Sequence, residues 1–183
     1  MRCVLKIKSY FTIVLGIFFL FHSHLDAQQF ILSKDGSFNV KGCEVLIFNN
    51  WYDGDFSDAK IAGIEMIHHG IRTVTNGDVR LHSTPAQWDA IPQLQERIVN
   101  TARNEVIVKL RYPQFNFDYS IRAKAESKYL SITVELDKPI PSALVGRAGL
   151  NLEFLPATYF EKGFIFDSVA GVFPRYPTGP MAL

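Results

Sequence analysis

Cysteine is nearly missing from this chain: its 183 residues include two, Cys3 and Cys43. Cys3 stands in what reads as a cleaved leader, so Cys43 is left alone and no internal disulfide can form. The context Cys43-Glu44-Val45-Leu46-Ile47 makes it a small core residue rather than a nucleophile. An excess of charge is missing too, since 19 basic residues face 18 acidic ones for a formal net charge of +1. With no basic stripe, the electrostatic footprint of a nucleic-acid binder is excluded. No glycine-rich phosphate loop is present, and no Ser–His–Asp or Cys–His arrangement is legible. Repeats and low-complexity tracts are also lacking. The longest apolar run, residues 10–21, falls short of the roughly 20 residues that cross a bilayer as a helix.

That run has a recognisable setting. Arg2, Lys6 and Lys8 precede it, and a polar stretch from His22 to Asp26 leads to Ala27 and Gln28. This is the layout of a secretory signal peptide over residues 1–27, with cleavage after Ala27. Cys3 lies ahead of the apolar run, where a lipobox cysteine does not stand, so no lipid anchor is expected. Removing 27 of 183 residues leaves 156, a length for one domain. The loss of Arg2, Lys6, Lys8 and Asp26 shifts the net charge to about −1. Export without disulfides suits a secreted or periplasmic bacterial protein, with no membrane span after cleavage.

What the chain does have is alternation. Val106, Val108, Leu110 and Tyr112 are followed by Phe115, Phe117, Tyr119, Ile121, Ala123 and Ala125, then by Leu130, Ile132, Val134 and Leu136. Charged and polar residues fill the positions between them. A period of two puts each apolar set on one face of a strand, and three such segments joined by short turns describe an antiparallel meander. Further strands are expected over residues 29–32, 38–40, 44–48, 149–155 and 163–167, the first two as edge strands. Residues 64–69 and 71–75 lead into Asn76-Gly77, the strongest short hairpin signal, with 79–82 as the returning arm. Residues 94–99 are ambiguous between helix and strand. Thr84-Pro85 opens a short helix ended by Pro92, and residues 141–146 suit one helical turn. The fold class is therefore mainly β, an antiparallel β-sandwich over residues 28–172 with one or two short helices. Residues 173–183, with Pro174, Pro177, Gly179 and Pro180, read as an extended tail or truncated linker.

The best binding candidate is the loop from Asn49 to Lys60. Trp51 and Tyr52 could stack on sugar rings, and Asp53 and Asp55 could bond hydroxyls. A calcium loop needs a closing Glu at the twelfth position, which is missing. His68 and His69 are neighbours on a strand and should point to opposite faces, so no shared metal ion is expected even with His82 near. Trp88 reads as an anchor for its short helix. Arg72, Arg80, Arg111 and Arg122 fall in strands, on wet faces suited to pairing with carboxylates, and Asp78 with Arg80 suits a structural ion pair. No catalytic residue, metal ligand or cofactor site is assigned.

Three segments carry a family likeness: Gly63-Ile64-Glu65-Met66-Ile67-His68-His69-Gly70, the stretch from Thr75-Asn76-Gly77-Asp78 to Thr84-Pro85-Ala86-Gln87-Trp88, and Val145-Gly146-Arg147-Ala148-Gly149-Leu150-Asn151-Leu152-Glu153-Phe154-Leu155-Pro156. With the closing Gly171-Val172-Phe173-Pro174-Arg175-Tyr176-Pro177-Thr178-Gly179-Pro180-Met181, they resemble the N-terminal β-rich region of secreted bacterial glycoside hydrolases, the cellulase-like family 9 enzymes above all. The resemblance implies a separate catalytic (α/α)₆ barrel downstream, with an Asp pair activating water and a Glu as general acid. Asp53-Gly54-Asp55 lies in a β-domain loop, so that role is not carried over to it. The implied partner is thus a missing C-terminal catalytic domain, with a polysaccharide as a further one. The chain is expected to be a truncated product, inactive alone. The alternative is a stand-alone carbohydrate-binding module using the Trp51/Tyr52 loop.

Overall fold

The structure is a computed structural model, and it describes residues 29–49, 63–81 and 90–176. The expected signal peptide, the loop holding Trp51, Tyr52, Asp53 and Asp55, His82, the Thr84–Trp88 segment and the tail beyond Tyr176 lie outside the described residues.

Among the described residues the chain is mainly β and wholly antiparallel in its ladders, as expected. Twelve strands run in order: β1 (Ile31–Leu32), β2 (Ser37–Val40), β3 (Cys43–Ile47), β4 (Ile64–His68), β5 (Ile71–Leu81), β6 (Gln93–Asn100), β7 (Glu105–Tyr112), β8 (Phe117–Ala125), β9 (Leu130–Glu135), β10 (Ala148–Phe154), β11 (Gly163–Phe166) and β12 (Val169–Val172). One short helix, α1 (Pro156–Tyr159), follows β10. The expected turn at 141–146 is present as a 3₁₀ turn, Ser142–Leu144. One sheet has six strands in the order β1-β2-β3-β4-β5-β10, another has four in the order β6-β7-β8-β9, and β11 pairs only with β12. No described helix is long and apolar enough to cross a membrane.

Alternation explains why the two large sheets stack. In β7, Val106, Val108, Leu110 and Tyr112 are buried, and in β8 Phe117, Tyr119, Ile121, Ala123 and Ala125 are. They meet Leu32, Phe38, Val45, Ile47, Ile64, Val79 and Leu81 of the six-stranded sheet in one core. Tyr112, Phe117 and Tyr119 stack with centroids 5.3–6.3 Å apart. The ambiguous segment 94–99 is a strand, because pairing along β7, such as Val99 opposite Val106, takes up its backbone. The strand β9 is one of the two edges of this sheet, so Leu130, Ile132 and Val134 are only half-buried and Leu136 is exposed. That departs from the uniformly dry face that alternation alone suggests.

Polar struts tie the layers together. Tyr112 donates its hydroxyl to the Val79 carbonyl at 2.8 Å. Arg97 donates Nε to the Ile47 carbonyl at 2.7 Å and Nη2 to the Gly36 carbonyl at 2.9 Å. These bonds join side chains of the four-stranded sheet to the backbone of β3, β5 and the turn before β2.

Three expectations need correction. Asn76-Gly77 is not a hairpin turn, because β5 runs straight through it; the turn is His69-Gly70, where both residues have positive φ as a two-residue type I′ hairpin requires. At Asn76-Gly77 the strand instead carries an extra residue. Val74 faces Met66 and Gly77 faces Ile64, so three steps on β5 match two on β4. Across the other edge, Asp78 faces Asn151 and Thr75 faces Glu153, again three against two. This is a β-bulge, and Asn76 takes its left-handed conformation at φ 51°. Second, β2 is an interior strand between β1 and β3, so only β1 is an edge there. Third, Phe173 is no free linker: its N–H bonds the Lys162 carbonyl and its ring packs among aromatics.

Candidate interaction surface

The buried carboxylates are held by structural partners. Glu65 is wholly buried and accepts from Arg72 Nη1 at 3.0 Å and Thr75 Oγ1 at 2.9 Å. Glu105 accepts from Arg122, which also grips Glu135. These bonds raise the guanidinium pKa of Arg122, Glu135 contributing most and Glu105 next. Arg111 reaches both oxygens of Asp118 at 2.7 Å. The wet face of the four-stranded sheet is thus laced with cross-strand ion pairs, each of modest worth where exposed.

Asp78 is the exception to the expected pairing. It is 6% exposed, and its Oδ1 accepts from the Tyr119 hydroxyl at 2.8 Å and from the Val79 N–H at 2.7 Å. Burial pushes its pKa up to about 6, and the Tyr119 and Val79 bonds and the Arg80 charge oppose that only in part. The partner that Asp78 bonds is therefore Tyr119, and Arg80 acts on it as a charge without a described bond. The Tyr119 phenol is itself pushed far up, by burial first and by the Asp78 charge second. Arg80 Nε is buried without a hydrogen-bond partner among the described residues.

His68 and His69 also depart from expectation. Their rings meet edge to face at 4.4 Å, because His69 leaves the strand in the left-handed turn instead of continuing the alternation. The His69 ring lies over Gly42, where any Cβ would come within 2.6 Å of it. Cys43 is partly buried against the core, and burial, then the Glu44 charge, pushes its thiol up, away from a nucleophile's state. Among the described residues no group of three or more His, Cys, Asp or Glu converges as metal ligands would.

The feature that stands out lies at residues 163–172. β11 reads Gly-Phe-Ile-Phe and β12 reads Val-Ala-Gly-Val, joined by Asp167-Ser168 with positive φ at both turn residues. Neither strand holds a polar residue. Ile165, Phe166, Val169 and Val172 are 79%, 77%, 68% and 62% exposed. The base of the hairpin is fixed by an aromatic knot in which Phe173 packs on Phe154, Tyr159 and Phe164 at 4.8–5.5 Å. The Phe164 ring lies over Gly171, where a Cβ would meet it at 2.4 Å. A lone two-stranded hairpin is marginal in water, and this one is anchored and yet uncovered.

No family model, curated protein or solved structure matches the chain.

The sequence-based site residues Trp51, Tyr52, Asp53 and Asp55 lie outside the described residues. The hairpin surface was not singled out from the sequence beyond one short strand at 163–167. Its signal was nevertheless there: two apolar runs with no polar alternation, around a two-residue polar turn. A strand with one wet face alternates, whereas a strand covered on both faces does not.

Proposed function

We propose that this chain is a non-catalytic N-terminal β-sandwich module of a secreted glycoside hydrolase, whose task is to pack against a C-terminal catalytic domain. The observation that carries this reading is the uncovered apolar hairpin at 163–172, a surface suited to a domain interface. Two further points support it. The buried carboxylates Glu65, Asp78 and Glu105 are engaged in bonds that hold strands together, which is a scaffold's use of such groups. The segments that resemble the family's β-rich region include the strand β10 and the stretch that closes the hairpin.

The reading is tested by the coding sequence past codon 183. A barrel encoded there, in frame or after a frameshift, and made as a separate polypeptide, should bind this chain. Ile165→Asp together with Phe166→Asp should weaken that binding at least tenfold, about 1.4 kcal/mol or more. The chain alone should hydrolyse no polysaccharide, and glycan binding by the wild type and Trp51→Ala should be equally negligible. An unrelated gene after a clean stop, or hydrolysis that Asp55→Asn abolishes, would remove the reading.

A further inference from the structure

We propose that the contact between Asp78 and Tyr119 is a proton-operated latch. With Asp78 protonated it holds the end of β5, and β10 with it, against β8; with Asp78 ionised that end opens locally to water. The latch involves neither the hairpin nor a downstream domain, so it stands independently of the proposed function. Its basis is the place where β5 runs out of neighbours. β4 begins at Ile64, opposite Gly77, and β5 continues past it. Among the described residues, Asp78 to Leu81 have β10 as their ladder partner, with Asp78 opposite Asn151 and Leu81 opposite Ala148. A strand residue's N–H and C=O point to the same side. At Val79 both are met by side chains. The N–H donates to Asp78 Oδ1 at 2.7 Å, and the C=O accepts from the Tyr112 hydroxyl at 2.8 Å. Asp78 and Tyr112 therefore stand in for the ladder of a further strand, and Tyr119 ties the carboxylate to the facing sheet at 2.8 Å.

One proton operates the latch because of what surrounds the carboxylate. Among the described residues, the charged and titratable groups about it are Tyr119 from β8, Tyr112 from β7 and Arg80 from its own strand. β10 sets the uncharged Asn151 opposite it. The carboxylate of β4, Glu65, is engaged by Arg72 and Thr75, and His68 stands at the far end of that strand. No described bond joins Asp78 to a cation, and its buried carboxyl titrates at about 6. The ionised form lacks water that the protonated form does not need. β10 is the element that can admit water. It is an edge strand in which Gly149, Leu150, Glu153 and Phe154 are exposed, and a strand with so little buried apolar surface opens more readily than a core strand. When it lifts, the last residues of β5 lose their ladder and the carboxylate is hydrated, which favours opening only when it is ionised. Acid therefore closes the latch, and neutral solution loosens it.

Amide hydrogen exchange of the purified chain at about pH 5 and about pH 7.5, corrected for intrinsic rates, tests this. The amides of residues 78–81 and 148–151 should exchange faster than those at the centre of β7 and β8. Their exchange should also respond little to low urea, as a local opening does. A carboxyl that titrates near 6 when closed and at its ordinary 3.8 when open makes the opening constant about tenfold larger at the higher pH. Asp78→Asn should remove that pH dependence and slow the opening at pH 7.5. Asp118→Asn, which alters the exposed pair with Arg111, should leave the dependence in place. Exchange of these amides only together with the β7 and β8 core overturns the inference, as does a local opening that is the same at both pH values. Both comparisons are made on the wild type, so they decide the matter whether or not a variant folds. A folded Asp78→Asn that keeps the tenfold change overturns it as well.

Discussion

Replacing Asp78 by Asn should stabilise this protein at neutral pH, although it alters a buried, hydrogen-bonded residue. The ordinary carboxyl value of 3.8 is raised to about 6 in the fold, chiefly by burial. At about 1.4 kcal/mol per tenfold change in acidity, keeping Asp78 ionised costs the folded state about 3 kcal/mol above pH 6. The sign follows from the raised value. The folded chain binds the proton more tightly than the unfolded chain, so the group favours folding below about 4 and loses that favour as pH rises through 6. Asn keeps an oxygen that can accept from Tyr119 and Val79, and it carries no charge to desolvate. Urea unfolding of both proteins between pH 4 and pH 8 should show Asp78→Asn ahead by up to about 3 kcal/mol at pH 7, with the gap closing towards pH 4. Tyr119→Phe should do the reverse. Without its donor the carboxylate is worse satisfied, which should cost about 1–3 kcal/mol at pH 7 and less at pH 4. A constant offset between wild type and Asp78→Asn across this range would refute the reasoning, as would a variant that is less stable at pH 7.

Two other substitutions probe the six-stranded sheet. Gly77→Ala places a Cβ within 2.4 Å of Ile64 Cβ and 2.7 Å of Leu152 Cδ2, and should cost about 1–3 kcal/mol in chemical denaturation. Gly149→Ala on the neighbouring strand meets nothing within 4 Å and should cost nothing measurable, so equal effects would speak against a packing origin. Arg72→Ala removes a cation from the buried Glu65 carboxylate and should cost about 3 kcal/mol or more, while an exposed pair such as Lys109 with Glu96 should lose less than about 1 kcal/mol on Lys109→Ala. Similar losses from the two would show that burial of Glu65 is not what sets the cost.

The parts of the fold that could be read in the sequence are those where one periodicity holds for a whole strand. From Glu105 to Ala125 burial alternates almost without exception, and so the four-stranded sheet was legible apart from β6. The hairpin in the other sheet was misplaced because Asn-Gly is the stronger turn signal while His-Gly does the turning. No local cue spoke against the Asn-Gly turn: Val74 and Val79, both buried, stand five residues apart, a spacing that a two-residue hairpin and a strand with one inserted residue share. Asp78 was misassigned for a related reason: its partner is Tyr119, which lies 41 residues away and in the opposite sheet. Separation of that kind leaves no local trace. The binding candidates Trp51 and Tyr52 fall outside the described residues, whereas the apolar hairpin shows itself by the alternation it lacks.

The strand order has a consequence for how the chain must assemble. β10 lies beside β5, with Ala148 opposite Leu81, so the whole four-stranded sheet is threaded between two neighbours of the six-stranded one. During synthesis β5 has no partner on that side until β10 has been made, and its outer edge stays open for the time needed to add those residues. Closing so long a loop costs entropy before any ladder bond repays it, which slows the final step. The four-stranded unit is built from consecutive strands and can form first. Completion of the other sheet then waits on β10, followed directly by α1 and the apolar hairpin, so the last strand to join the sandwich is also the one that brings the exposed surface into place.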